Sequence, residues 1–508
     1  MPKNSSGVLF VGWFEIIPVE EAGRRAFERS NAGSVRNERL ERLLNAVEHQ
    51  DESSPEATGS NLATLLAHAG IESKGTENFP MAPPLHTATT YTRPPDGIYK
   101  DTDSIYARMD NPTRLLLERT VFALECSGLS LPDNAESTSL AFSSGMQAVT
   151  SILLAHPTAN GAETTVLIPT DVYHGVRSLL SGVFLRHGVE VRELDMIDNE
   201  STSGAEVVAN AIREIVAASN ESSIRSNVIV WMETPSNPKC QVADIQAICD
   251  ACDREQDRFK EIVDVTTVVD GTMASPVLTR PLELGADMSF HSGTKYMGGH
   301  SDALIGTLTI SPTTSRGQEL LPLLKSVQIA GGGVASPWDC WLTLRGMRTL
   351  GVRIEKQCDN ALALAEYLSE KMPSATKQTT DIDWMSKVEV KAVHYPGLSS
   401  HPQHDIAKRQ MVLDGRRSGF GGVLSFELGD EVEATAFCAA LKVAQRATSL
   451  GGTETLVEHR ASIEPSDCVV SPPGLLRVSV GLEHPEDLIR DFEQAFGVVE
   501  EVLTESKR

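Results

Sequence analysis

The 508-residue sequence lacks any long hydrophobic run. No stretch approaches the ~18 apolar residues that a membrane-spanning helix needs. Val8 to Phe14 is apolar but stops at Glu15, too short and too poorly flanked for a signal peptide. Basic charge is also short: 45 Lys and Arg face 69 Asp and Glu, a formal net charge of −24. Such a chain repels polyanions, so neither nucleic acid nor an anionic membrane is expected as a partner. Eight cysteines are scattered over the whole length, which suits free thiols in a reducing compartment. The lone CxxC, Cys249 to Cys252, has neither the second pair of a zinc site nor a thioredoxin-like setting. Its helical flanks suit two buried thiols. No Gly-x-Gly-x-x-Gly follows a first strand, which counts against a nicotinamide-binding Rossmann enzyme.

What remains is ordinary globular composition, 41% hydrophobic with 38 Gly and 26 Pro, enough for a large core in two to four domains. Residues 1–60 are polar and end in Asp51-Glu52-Ser53-Ser54-Pro55-Glu56, the pattern of a flexible, non-core extension. Its arginines (Arg24 to Arg42) resemble a transit peptide, but interleaved glutamates argue against one. A cytoplasmic protein is expected, with organellar targeting by the extension left open. Residues 61–119 contain a short helix, Leu62 to Gly70, and a proline-rich loop segment, 75–115, that reads as an arm wrapping another surface.

Residues 120–335 alternate helix patterns, such as Gln147–His156, with short β-branched runs at Thr165–Ile168, Val228–Met232 and Val265–Val269. This is the sequence form of a mainly parallel α/β sheet with helices on both faces. Residues 196–226 read as a polar insertion around a helical stretch, Ala205–Ala218. Residues 336–508 read as a smaller α+β domain. Its expected helices are Trp338–Leu350, Ala361–Lys371 and one near Glu486–Phe496; its expected strands are Lys387–Val393 and Val423–Leu428.

Six segments carry candidate chemistry, and most lie at strand ends or helix starts, where open α/β sheets bind ligands. In Ser289-Phe290-His291-Ser292-Gly293-Thr294-Lys295-Tyr296, a lysine set among hydroxyls and glycines is placed for a Schiff base beside a phosphate. Ser143-Ser144-Gly145-Met146 opens a helix with small residues whose backbone N–H groups suit a phosphate. Tyr173 can stack on a flat ring. Asn237, in Glu233-Thr234-Pro235-Ser236-Asn237-Pro238, can bond a phenolic oxygen. Asp270 ends a strand and can face a protonated pyridine nitrogen, an attraction of roughly 4 kcal/mol at about 4 Å and an effective dielectric of about 20. Arg108, in Tyr106-Ala107-Arg108-Met109-Asp110-Asn111-Pro112-Thr113, can grip a phosphate. Taken singly, each also reads as a turn, a cap, a core side chain or a solvated arginine.

Together and in this order, the motifs resemble the pyridoxal-phosphate-dependent Cys/Met metabolism family, the trans-sulfuration enzymes. The resemblance continues through His394-Tyr395-Pro396-Gly397-Leu398 to His404, Ser449-Leu450-Gly451-Gly452 and Leu476-Arg477-Val478-Ser479, and covers about residues 62–500. It implies the aminotransferase-like fold called fold type I and the cofactor pyridoxal 5'-phosphate. It implies Lys295 as the Schiff-base lysine and proton shuttle. Gly145, Met146, Ser292 and Thr294 form its phosphate cup, completed by Tyr106 and Arg108 from a neighbouring subunit. Tyr173 stacks on the ring and serves in acid/base steps. Asp270 partners the ring nitrogen and Asn237 the ring oxygen. Arg477, with Ser449 beside it, holds the substrate α-carboxylate. The expected assembly is a homo-oligomer, usually a homotetramer, with shared active sites. His394, His401 and His404 fall in a motif that the resemblance treats as structural, not metal-binding.

Three departures stand out: Asp270-Gly271-Thr272-Met273 for the family's usual Asp-Asn-Thr-aromatic, Tyr173-His174-Gly175-Val176 for Tyr-Gly-Gly-Thr, and Thr448 where many γ-active members carry Glu. All three are expected near the substrate side chain. The chemistry implied is a carbon–sulfur lyase acting on cystathionine or a related sulfur amino acid. The alternative is a cystathionine γ-synthase, joining an activated homoserine to cysteine. A cofactor-binding scaffold without activity is the reading from another class.

Overall fold

A computed structural model describes residues 61–71, 81–98, 104–131, 135–156, 163–199, 201–222, 225–373, 388–413, 415, 417–464 and 469–506. The N-terminal extension expected at 1–60 lies outside the described residues.

The larger sheet has seven strands: β1 (Ser139–Phe142), β2 (Glu163–Pro169), β3 (Val189–Leu194), β4 (Ser226–Glu233), β5 (Val263–Asp270), β6 (Met288–His291) and β7 (Gly306–Ile310). Their order is β1-β7-β6-β5-β4-β2-β3. Neighbours from β6 to β3 run parallel; β7 is antiparallel to β6 and β1. β4 is buried along its whole length and β5 nearly so, which explains their continuous apolar and β-branched runs. Helices cover both faces. Gly145–Ala155 packs with the side containing Val166, Ile168, Trp231 and Phe290, and Gly204–Ser222 and Ile245–Phe259 with the side containing Val228, Val230 and Val265.

The Gly204–Ser222 helix corrects one expectation. It is not an insertion: it is the crossover from edge strand β3 to β4, past β2, with its apolar stripe (Val208, Ile212, Ile215, Val216) in the core. The CxxC lies in the neighbouring helix, with both thiols buried and pushed up by burial.

The remaining strands are β8 (Ala392–His394), the small ladder β9 (Val412–Leu413) and β10 (Arg417–Ser418), then β11 (Val423–Glu427), β12 (Gln445–Arg446), β13 (Leu456–His459) and β14 (Leu475–Ser479). A five-stranded sheet runs β12-β13-β14-β11-β8. It packs on helices Leu350–Glu370, Glu431–Ala440 and Pro485–Ser506; Phe426 of the sheet, Phe437 of the second helix and Phe492 and Phe496 of the third form an aromatic cluster whose paired ring centroids lie 4.8–6.5 Å apart. Each such aromatic pair adds about 1 kcal/mol beyond its area burial.

Here the expected boundaries move. The first helix ends at Met347, and a second starts at Leu350 and runs unbroken to Glu370. The strand expected at Lys387–Val393 is paired only at Ala392–His394; Val388 and Val390 point into the core, but the ladder to β11 covers three residues. Lys387 itself lies outside the described residues.

Pro112, placed in the loop segment by sequence, instead begins the helix Pro112–Glu125. Asn111 caps it by accepting the N–H groups of Thr113 and Arg114. The preceding residues lie on the Pro337–Met347 helix, where Trp341 Nε1 donates to Pro83 O at 2.8 Å. No helix among the described residues is long and apolar enough to cross a membrane.

Candidate active site

β4, β5 and β6 run parallel, so their C-terminal ends lie side by side. There a cavity of about 460 Å³ is lined by Gly145, Met146, Tyr173, Asn237, Asp270, Ser292, Thr294, Lys295, Ser449 and Arg477. Ten of the twelve expected site residues therefore meet in one place, drawn from segments over 300 residues apart in sequence. Tyr106 and Arg108 do not join them. Arg108 Nη1 donates to Ile329 O at 2.7 Å, and both residues line a separate, exposed cavity of about 360 Å³.

Lys295 Nζ donates to Ser449 Oγ at 2.7 Å. Burial, with the positive charge of Arg477 beside it, brings its amine down from 10.5 to about 8. Ser449 sits at φ 84°, the left-handed region that favours glycine. That turn lets one residue serve two partners: its hydroxyl takes Lys295 and its carbonyl takes Arg477 Nη2 at 2.6 Å. Arg477 also donates through Nη1 to Asn237 Oδ1 at 3.2 Å, and its Nη2 lies 2.7 Å from Glu458. Its Nε is buried without a partner.

The two turns that carry Tyr173 and Asn237 clamp each other. Glu233 accepts the N–H of Tyr173 at 2.7 Å on one oxygen and that of Asn237 at 3.1 Å on the other. Asp171 returns the contact, accepting from Ser236 Oγ at 2.5 Å and Lys239 N at 3.2 Å. Burial, then the charge of Asp270, pushes the Glu233 carboxyl well up. Burial, then Glu233, raises the Tyr173 phenol, so it stays protonated at neutral pH. Asp270 takes Thr272 N at 2.9 Å on Oδ1; burial raises its carboxyl, while Thr272 and His291 pull it back.

Pyridoxal phosphate fits this set. Gly145 and Met146 open the Gly145–Ala155 helix, so their N–H groups have no acceptor within it; Ser144 Oγ is spent on Gln147 N. A Cβ on Gly145 would stand 3.3 Å from Phe290 and narrow this phosphate-sized cradle. Thr294 is less free than expected: its hydroxyl donates to Ile305 O at 3.2 Å and accepts from Ile305 N at 2.9 Å.

The departures separate. His174, Val176, Met273 and Thr448 line the cavity; Gly271 does not, and faces the His291 ring instead. This corrects its expected place near the substrate side chain. Two charged lining residues, Glu458 and Arg460, escape the sequence reading. Glu458 bridges the arginines, 2.7 Å from Arg477 and 3.1 Å from Arg460, and all three are buried. A charged pair at the end of an apolar strand was the available signal, since buried charges are rare unless paired. The three histidines sit outside the cavity. His394 pairs with Glu427 at 2.8 Å, His401 Nδ1 accepts from Gln403 N, and His404 stacks on Phe420.

This sheet, with a lysine beside strand-end carboxylates and a helix N-terminus, defines a pyridoxal-phosphate enzyme of fold type I. The sequence model of the Cys/Met metabolism PLP-dependent enzymes matches residues 63–497, and the chain belongs to that family. It is 34% identical over 451 residues to the cystathionine beta-lyase of Coxiella burnetii, covering 86% of this chain and 98% of that one. It is also 34% identical to the cystathionine gamma-lyase of Bacillus subtilis (85% and 98% covered) and the cystathionine gamma-synthase of Mycobacterium tuberculosis (88% and 98%). A solved structure of cystathionine gamma synthase from Xanthomonas oryzae pv. oryzae, with aminoacrylate and cysteine, is 31% identical with a TM-score of 0.69, over 86% of this chain and 98% of that one. The chain is a pyridoxal-phosphate-dependent enzyme of trans-sulfuration type.

Proposed function

We propose that this enzyme is a carbon–sulfur lyase that cleaves cystathionine or a related sulfur amino acid by β- or γ-elimination. The observation that carries the reading is the amine of Lys295, brought down to about 8 and set beside Arg477 in the strand-end cavity. Arg477 holds the substrate α-carboxylate through its guanidinium edge. That contact presents the α-carbon to Lys295, and Nζ takes its proton. Ser449 holds Nζ in place between transfers. Tyr173, protonated and at the cavity wall, gives a proton to the departing sulfur. Bound pyridoxal phosphate supplies the electron sink for the charge left at the α-carbon. Gly145, Met146 and Ser292 would hold its phosphate, joined by Thr294 once its hydroxyl leaves Ile305 O; Asp270 would hold its ring nitrogen, Asn237 its ring oxygen, and Lys295 would be its covalent anchor.

Tyr106 and Arg108 complete the phosphate site from a second copy. Their exposure and their absence from the lining of the Lys295 cavity support this, and a cytoplasmic homotetramer is the expected assembly. The extension 1–60, the arm 61–119, the cofactor domain 120–335 and the smaller domain 336–508 are the proposed divisions.

Cystathionine γ-synthase is the second reading, favoured by relatives of equal identity bearing that name. Purified protein given cystathionine alone separates the two. Ammonia and a 2-oxo acid without added thiol support the lyase. Product only when an acylated homoserine and cysteine are both present sinks it. No product from either mixture leaves the scaffold reading.

A further inference from the structure

The cavity holds a second arginine that the proposed chemistry does not use. Arg460 follows β13 directly and lines the cavity together with Arg477, Tyr173 and His174. Its side chain is only 3% exposed. Nη1 donates to Glu458 Oε2 at 3.1 Å, the same oxygen that Arg477 Nη2 meets at 2.7 Å. One carboxylate thus stands between two buried guanidinium groups, and Arg477 alone suffices to neutralise it.

The other edge of Arg460 is unspent. Its Nε is buried without a partner among the described residues. Its Nη2 stands 3.6 Å from Glu464 Oε1, beyond hydrogen-bonding range. Glu464 is committed elsewhere: it accepts from Ser471 Oγ at 2.5 Å, Val470 N at 2.8 Å and Ser471 N at 3.0 Å. Burial pushes that carboxyl up, but these hydrogen bonds outweigh it and hold the group below its ordinary value. Glu464 therefore lends Arg460 a balancing charge without filling its donors. Nε and Nη2 form the guanidinium edge that takes a carboxylate through two parallel hydrogen bonds. A buried donor left unpaired is costly, and a ligand carboxylate removes that cost. His174 offers a second unspent atom: its Nδ1 is buried without a partner, and burial, then the charge of Arg460, holds its imidazole down. Val176 and Ile463 add apolar lining to the same cavity.

We propose that Arg460 determines specificity by taking a carboxylate at the far end of the substrate side chain. Arg477 and Arg460 then hold the two acidic ends of one ligand, and Val176 and Ile463 offer apolar surface to the methylenes and sulfur. The substrate class is a dicarboxylic amino acid; cystathionine belongs to it, and methionine and cysteine do not. This deepens the lyase reading and rests on its assignment of the α-carboxylate to Arg477. An acylated homoserine with a free terminal carboxylate presents the same chemistry.

The test uses the full-length protein loaded with pyridoxal phosphate and two matched pairs of ligands. S-(2-carboxyethyl)homocysteine against S-propylhomocysteine isolates the carboxylate on a thioether; O-succinylhomoserine against O-butyrylhomoserine isolates it on an ester. Binding is read from the change in the cofactor's visible band, and turnover from product release. Wild type is expected to bind the acidic member of a pair about a hundredfold more tightly, the range of hydrogen bonds to a charged group. The pair that shows the preference identifies the source. Arg460→Met abolishes the preference, seen in Kd and KM. Arg460→Lys, which keeps the charge without the fork, lowers it about tenfold and serves if the methionine variant does not fold. Equal binding of both members by wild type, or a preference that a folded variant keeps in full, overturns the inference. Arg477→Met is expected to weaken all four ligands alike; if it weakens only the acidic members, the assignment of the α-carboxylate falls instead. Arg460-dependent binding of the thioether without its turnover overturns the lyase reading alone.

Discussion

Lys295 and Ser449 are 154 residues apart in sequence and 2.7 Å apart in space. The contact joins the larger sheet to the segment leading into β13, and it places the amine within the field of Arg477. Lys295→Ala is expected to lose the visible band and to slow turnover by at least about a thousandfold, as for loss of a proton-transferring base. The absorption spectrum and an ammonia-release assay check this.

The amine also sets a pH dependence. Its pKa is brought down to about 8, so it is mostly protonated below that value and free above it. The loading rate of cofactor-stripped protein therefore climbs through pH 8 and levels off. A rate still climbing steeply beyond pH 10, as for an ordinary lysine, contradicts the geometry. Stopped-flow absorbance gives the profile.

Ser449 carries a left-handed backbone that glycine adopts without strain. Ser449→Gly relieves about 1 kcal/mol of that strain while removing the hydroxyl on Lys295. The melting temperature should hold or rise while kcat falls. A parallel fall in both assigns Ser449 a purely structural part.

Tyr173→Phe keeps the ring and removes the proton. Cofactor affinity should stay within about twofold, while kcat drops by roughly a hundredfold, the range of one general acid. A tyrosine that matters only for stacking leaves kcat untouched.

Thr448, one of the departures from the family pattern, lines the cavity. Thr448→Glu is expected to raise γ-derived over β-derived products from cystathionine. Identical product ratios by chromatography show that this position does not choose the branch.

Much of this was legible in the sequence because strand ends leave local signatures. Asp270 and Lys295 each follow an apolar run, and Gly145 opens a helix after one, so pattern alone put them at one edge of a sheet. The helix Gly204–Ser222 misled because its exposed face and flanks are polar, while its buried stripe makes sense only against β2 and β4. Pairings across the fold were not legible. Nothing near Glu125 announces His291, and nothing near Glu458 announces Arg477, since those contacts are made by topology. The sequence places Gly271 near the substrate side chain; the strand geometry turns it toward the His291 ring.

Glu458 gives the site a resident rival for its own ligand. Before any amino acid enters, the Arg477 guanidinium is already shared among a glutamate, a serine carbonyl and an asparagine, with Nε alone unspent. On the proposed role of Arg477, substrate binding would be an exchange of one carboxylate for another at the same cation, with little net charge created. Affinity would then measure only the difference between the two, which favours release of product as much as capture of substrate.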